Sequence, residues 1–227
     1  MATNNRVRAL AISAVLLAAP AAHATLAAAA TFDQKVDNAA SIILGKCVRQ
    51  ESRFDPTGRW ILTYSTFQVE KTMKGAPGPE VTIVTPGGQV GGLHQVTIGI
   101  PAFRPGAENV IFIKNSKAGP TVLYFDQGAY DVTNNIVTPV PSNLVKIDTQ
   151  RGVAVAPEDA SQPLPQFEKR VNDTLRDLRD QKMRMDMVAA EKLRREASLW
   201  SVAKENKWTI LLALAGIAFA TWRLVRH

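Results

Sequence analysis

The chain has a single cysteine among 227 residues, so no internal disulfide forms and no cysteine-based zinc site exists. Histidine is nearly as scarce. His23, His94 and His227 are the whole set, and no His-Glu-x-x-His pattern occurs, which excludes zinc proteolysis of that type. No glycine-rich segment runs into Lys-Ser or Lys-Thr, so no phosphate-binding P-loop is present. Neither glycine nor proline occurs from Gln166 to Lys207. No cofactor and no metal are expected. The hydrophobic share of 46% and the charged share of 21% suit a packed chain rather than a disordered one. The length fits one domain with additions, or two small domains, at roughly 150 residues each.

The N-terminus reads as an export signal over residues 1–24. Arg6 and Arg8 supply its charge, Ala9 to Ala19 its apolar run, and Ala22-His23-Ala24 a small-x-small cleavage site. A second site lies after Ala30, inside an all-alanine run from Ala27, and an uncleaved N-terminal anchor is the competing reading.

A second apolar stretch, Trp208 to Trp222, carries no charge. Its fifteen residues reach about 22 Å at 1.5 Å each, against a hydrocarbon core of about 30 Å. Extension to Val225 with Arg223 snorkelling brings it to about 27 Å. Trp208 and Trp222 fit an aromatic belt. The segment 208–225 is therefore expected to be a transmembrane anchor in contact with membrane lipid. A buried or interfacial helix and a processed sorting signal are the alternatives. Arg194, Arg195, Lys204 and Lys207 on the outer flank leave orientation to the N-terminal signal.

Between the ends, residues 31–150 are punctuated by glycine and proline and rich in β-branched side chains. Strands are expected at Ala40–Gln50, Trp60–Lys71, Val81–Thr85, Leu93–Ile100, Val110–Lys114 and Val122–Phe125. A weaker pair is expected at Ala129–Val132 and Ile136–Thr138. Asp55-Pro-Thr-Gly58 is turn chemistry between the first two. Five to eight short strands in about 120 residues suggest a small barrel or sandwich.

After a linker at 151–163 the pattern changes. Leu164, Phe167, Val171, Leu175 and Leu178 follow at helical spacing, which predicts one long helix over 164–207. Its charges are mixed and suit a solvated face. Two roles compete. In one, the first half packs on the β domain and the second is a solvated stalk. In the other, the helix self-associates.

Pro86-Gly-Gly-Gln-Val-Gly-Gly92 is the most distinctive motif. It reads either as a backbone nest for an anion or partner loop, or as a glycine-rich turn joining two strands. Cys47 lies in an apolar strand and is expected to be buried; a reactive role is the alternative. A Cys47/His94 nucleophile pair has no local support. The basic excess, formally +7, lies partly on the helix beside the apolar tail. Contact with anionic lipid explains it more simply than nucleic acid, and no nucleic-acid partner is expected.

Four phrases carry a resemblance: Ala39-Ala-Ser-Ile-Ile-Leu-Gly-Lys46, Thr63-Tyr-Ser-Thr-Phe-Gln-Val-Glu-Lys-Thr-Met-Lys-Gly75, Val81-Thr-Ile-Val-Thr-Pro-Gly-Gly-Gln-Val-Gly-Gly92 and Ala102-Phe-Arg-Pro-Gly-Ala-Glu-Asn-Val-Ile-Phe-Ile113. Their order resembles a bacterial exported β-domain family of largely unassigned function, sometimes joined to matrixin-like metalloproteases, and is similar to OB-like barrels of the netrin/TIMP type. The likeness covers about residues 35–132. It implies an OB-like fold. It transfers no catalytic residue, because this chain has no protease domain and lacks the cysteine pairs of the inhibitory barrels.

The expected architecture is thus mainly β, a small OB-like barrel followed by a long α-helix and a C-terminal transmembrane helix. The expected function is a non-enzymatic, membrane-anchored binding or assembly module on the extracytoplasmic face of the cytoplasmic membrane. The alternatives are an accessory of envelope metalloproteolysis and an unrecognised hydrolase. A protein partner is expected at loop residues Gly87, Gly88, Gln89, Gly91, Gly92, Phe103 and Arg104, since loops on a rigid scaffold are where binding tends to sit.

Overall fold

The computed structural model describes residues 26–142, 144–149, 151–154 and 159–225. The expected export signal at 1–24 lies outside the described residues. The chain forms two compact units that divide between Asn172 and Asp173.

The first unit opens with β1 (Leu26–Ala28) and a seven-residue helix, α1 (Phe32–Asn38). A capping box starts α1: Gln34 N donates to Thr31 Oγ1, and Thr31 N donates to Gln34 Oε1. Lys74 Nζ donates to the carbonyls of Val36 and Asp37 at its other end, both at 2.7 Å. Cationic donors at a helix C-terminus satisfy carbonyls that have no intrahelical partner. The Thr-x-x-Gln signal for this helix was present in the sequence.

Two long strands follow, β2 (Ser41–Phe54) and β3 (Ile61–Lys74), then β4 (Glu80–Pro86), β5 (Gly88–Val90), β6 (Leu93–Gln95), β7 (Glu108–Ser116) and β8 (Gly119–Val122). After them come β9 (Ala129–Thr133), β10 (Ile136–Pro139), β11 (Val145–Asp148), β12 (Val153–Ala154) and β13 (Gln162–Pro163). The main sheet runs β13-β10-β9-β7-β2-β3-β4 and is antiparallel throughout. β8 shares β7 with β9: β9 takes Glu108–Ile111 and β8 takes Ile113–Ser116. Between β2 and β3 the register shifts three times, and such bulges bend and twist a ribbon. The β9–β10 hairpin turns on Asn134 and Asn135, both at positive φ, as a type I′ turn requires of its two central residues.

The sheet does not close, which corrects the barrel expectation. Among the described residues β4 pairs only with β3, and β13 pairs only with β10, so the two ends of the ladder do not meet. The edges are also poor donors. Pro120 in β8 and Pro163 in β13 have no N–H to give.

The strand expected over Leu93–Ile100 stops at Gln95, and β5–β6 forms a separate two-stranded hairpin. The strand expected at Val122–Phe125 also ends early. β8 finishes at Val122, and the chain enters a 3-10 turn over Phe125–Gly128. Tyr124 and Phe125 there hold positive φ of 54° and 61°.

Both faces of the sheet are covered, which is why β7 reads as an unbroken apolar run, Val110-Ile-Phe-Ile113. Strand alternation sends Ile111 and Ile113 to one side, into a core with Ile43, Cys47, Phe67, Ile83 and Phe103. It sends Phe112 to the other, against Phe32 of α1 and Phe167 of the long helix.

That helix, α2 (Leu164–Glu205), has 42 residues. Phe167 and Val171 are buried, whereas Met183, Met185, Met187, Val188 and Leu193 are exposed. The apolar stripe therefore belongs to the core only over its first turns.

α3 (Lys207–Val225) corrects the transmembrane expectation for 208–225. Among the described residues, no helix is long and apolar enough to cross a membrane. The uncharged part ends at Arg223, and four alanines and a glycine dilute it. The uncharged run gives about 22 Å, and the last turn to Val225, which would lengthen it, brings in the charge of Arg223. The lipid contact expected through this helix has no spanning segment to rest on.

Candidate binding surface

The glycine-rich motif folds as the β5–β6 hairpin. Val90 pairs with Leu93, leaving Gly91-Gly92 as a two-residue turn. Gly91 holds φ 58°, the positive value that a type II′ turn asks of its first central residue. The hairpin sits beside the end of the β2–β3 ribbon. Gly87 N donates to Ile61 O at 2.8 Å, and Ile61 N donates to Gln95 Oε1 at 2.9 Å.

The glycines differ in what they do. Thr63 Oγ1 donates to Gly87 O at 2.7 Å and lies 2.8 Å from Ser52 Oγ. With the Thr63 proton committed to Gly87, Ser52 is the donor in that pair. A Cβ on Gly88 would land on Thr63 Oγ1 and 2.5 Å from Ser52 Oγ, and Gly88 has φ 127°. It is glycine because the backbone closes on two hydroxyls there. Around Gly91 and Gly92 a Cβ would meet nothing within 4 Å.

Gly88→Val is therefore expected to cost roughly 1–3 kcal/mol from backbone conformation alone, before the clash is counted. Gly92→Val should stay within about 0.5 kcal/mol. Urea unfolding of both variants checks this, and equal midpoints would contradict the packing described.

Gln89 is exposed on the hairpin, with Nε2 3.5 Å from Gly91 O. Arg104 is exposed as well. Phe103 is not a surface contact, which corrects that expectation. It is buried edge-on against Phe67, ring centroids 4.9 Å apart, and its carbonyl accepts from Gln50 Nε2. Aromatic rings in such a tilt are held by packing, so the ring serves the core.

The structure adds residues that sequence reading placed elsewhere. Trp60, at the end of the β2–β3 ribbon, is 60% exposed. Leu93 and Val96 on and after the hairpin are 61% and 73% exposed, and Phe54 and Ile98 are exposed too. Single exposed apolar side chains are ordinary; these five lie near the end of the sheet where the hairpin meets the β2–β3 ribbon, which makes that end the candidate surface. The sequence places Val96 and Ile98 inside one strand over Leu93–Ile100. The departure of Val96 from the hairpin ladder is what leaves it in solvent.

Exposed Arg53 and Arg59 border this end, Arg53 with its guanidinium 4.0 Å from the Tyr64 ring centroid. Asp55 shapes the turn that presents Trp60. Thr57 Oγ1 donates to Asp55 Oδ2 at 2.6 Å, and the Arg59 and Trp60 amides donate to Oδ1 at 3.0 Å. These bonds, led by Thr57, hold the carboxyl below its ordinary range.

Cys47 and His94 do not form a reactive pair. Cys47 is fully buried in the core, and burial pushes its thiol up, whereas His94 is exposed on β6. A thiol with a raised pKa holds little thiolate, the reactive form.

A separate cavity of about 610 Å³ is lined by Pro139, Val140, Ser142, Leu144, Lys146 and Asp159 among others. Three of the polar side chains at its wall, Ser142, Lys146 and Asp159, are already engaged. Ser142 Oγ donates to Asp126 Oδ2 at 2.5 Å, Lys146 Nζ lies 3.9 Å from Asp126 Oδ1, and Asp159 accepts from three side chains. Among the described residues, no three His, Cys, Asp or Glu side chains gather closely enough to hold a metal ion.

The fold defines a sheet-rich domain with a long helix. No known protein family, curated protein or solved structure matches the chain.

Proposed function

We propose that the sheet domain is an exported, non-enzymatic binding or assembly module of the cell envelope, and that it engages a protein partner through the end carrying the β5–β6 hairpin. The observation that carries this reading is the exposed set Phe54, Trp60, Leu93, Val96 and Ile98, flanked by Arg53 and Arg59. Tryptophan and arginine are the side chains most enriched where a few residues dominate protein association. The hairpin is tied to the rigid ribbon by Gln95, Gly87 and Thr63, so little order has to be imposed on binding.

The test is a photo-crosslinking side chain at Leu93, with a control at exposed Lys117 in the β7–β8 turn. Both go into the full chain in exporting cells. A discrete protein adduct is expected from Leu93 and none from Lys117, and Trp60→Asp should abolish it while the purified variant melts unchanged. No adduct at Leu93, or the same adduct from both positions, removes the reading.

A further inference from the structure

We propose that the mature chain begins at Thr25, with processing after Ala24 and not after Ala30, because residues 26–30 are a working part of the fold. This rests on the export reading above. Both junctions have small residues at the required positions, Ala22 and Ala24 for one, Ala28 and Ala30 for the other, so local sequence does not choose between them.

The tertiary structure does choose. β1 pairs in parallel with β11, Leu26 against Val145, Ala27 against Lys146 and Ala28 against Ile147. The ladder continues with Ala29 N donating to Ile147 O at 2.8 Å. The Gln127 side chain then grips the segment at two points. Its Nε2 donates to Ala28 O and its Oε1 accepts from Ala30 N, both at 2.9 Å. Gln127 and Ala30 are both buried. The turn that delivers Gln127 holds Tyr124 and Phe125 in the left-handed region, which bulky residues adopt only when their surroundings impose it.

Cleavage after Ala30 would remove β1, strip β11 of one neighbour and leave both ends of the buried Gln127 amide without these partners. A buried amide that loses its partners keeps the full cost of leaving water. It would also turn the Thr31 amide, which donates to Gln34 Oε1 in the capping box, into an ammonium at the N-terminus of α1. Positive charge there opposes the helix dipole. Cleavage after Ala24 leaves all of these contacts intact. In that step a signal peptidase adds water across the Ala24–Thr25 peptide bond, yielding the Ala24 carboxylate and the Thr25 ammonium.

The full chain is expressed in a bacterium with its own export machinery, and the product is read by intact mass and N-terminal sequencing. The expected N-terminus is Thr25. An N-terminus at Thr31 would overturn the cleavage assignment while leaving export standing. An N-terminus at Met1 would overturn both. A second measurement isolates the physical reason. A chain starting at Thr31 is expected to melt about 4 °C or more below one starting at Thr25. Equal melting temperatures would show that residues 25–30 carry no part of the fold and would defeat the proposal.

Discussion

Replacing Phe167 by alanine is expected to destabilise the sheet unit by about 3–5 kcal/mol, the usual loss for a fully buried aromatic ring. Phe167 projects from the first turns of α2 into a cluster of rings. Its centroid lies 5.0 Å from Tyr130, 5.6 Å from Phe32 and 6.3 Å from Phe112, each in an edge-to-face arrangement. The cluster joins three elements distant in sequence: α1, the centre of the sheet and the start of α2. Deleting one ring leaves a void bounded by rigid neighbours on three sides. Its wall collapses only partly, so the cavity cost adds to the lost transfer energy. Phe125→Ala is the matched control, because that ring is about half exposed. Its effect should stay within about 0.5 kcal/mol. Denaturant unfolding followed by near-ultraviolet circular dichroism reads both, and similar losses from the two variants would contradict the docking of α2 through Phe167.

Asp159→Asn is expected to cost about 3–5 kcal/mol near neutral pH, the typical loss when one partner of a buried ion pair is neutralised. Asp159 Oδ2 pairs with Lys35 Nζ and accepts from Tyr130 OH at 2.7 Å, while Oδ1 accepts from Arg170 Nη1 at 2.9 Å. Lys35 also donates to Tyr130 OH at 2.7 Å. Lys35 and Asp159 are both buried, and Arg170 lies over the Phe32 ring with its guanidinium carbon 3.7 Å from the centroid. Burial by itself raises the Asp159 carboxyl. The Lys35 charge, the hydrogen bonds from Lys35 and Tyr130 and the Arg170 charge outweigh it, so the group sits below its ordinary range. A lowered folded value stabilises the fold above the unfolded carboxyl value, about 3.9, and this contribution disappears as pH falls through the folded value. Wild type should therefore lose stability on acidification below about pH 4 by a step that Asp159→Asn lacks. Lys35→Met combined with Asp159→Leu should cost much less than the sum of the single changes, since no uncompensated charge then stays buried. Additive losses would show that the pair is not coupled.

The two clusters lie side by side, and together they explain where the long helix belongs to the core. Lys35, Tyr130 and Arg170 tie the polar side of α1, β9 and α2, and Phe32, Phe112 and Phe167 tie the apolar side. Beyond Val171 the helical stripe passes to partly exposed leucines and then to exposed methionines. Periodicity alone does not mark that change, because a stripe of constant spacing looks the same whether or not something packs on it.

Much of the architecture was legible in local sequence. The long helix from Leu164 follows from spacing and from the lack of glycine and proline, both of which act within a few turns. The strand positions in 41–74 and 80–86 follow from β-branched alternation and from Asp55-Pro-Thr-Gly58, whose turn hydrogen bonds form among neighbours. The Gly91-Gly92 turn is local in the same sense. Cys47 is buried because its strand is apolar on that face.

Other features depend on which strands meet. Closure of the sheet was a question of whether β4 would find a partner across the fold, and no strand pattern encodes that. Whether the 208–225 segment spans a membrane turned on total apolar length, where a few residues decide. Phe103 and Trp60 look interchangeable as aromatic side chains beside turns, yet Phe67 covers one and solvent surrounds the other. Asp159, in an unremarkable polar stretch, becomes the charge at the centre of a buried network only because chain segments more than a hundred residues apart bring Lys35 to it. The alanines at 27–30 offer a second cleavage site in the sequence, and only in the fold do Gln127 and β11 close around them. Local rules assigned the elements; burial, ion pairing and strand partnership depend on long-range contacts, and those were decided only when the chain packed.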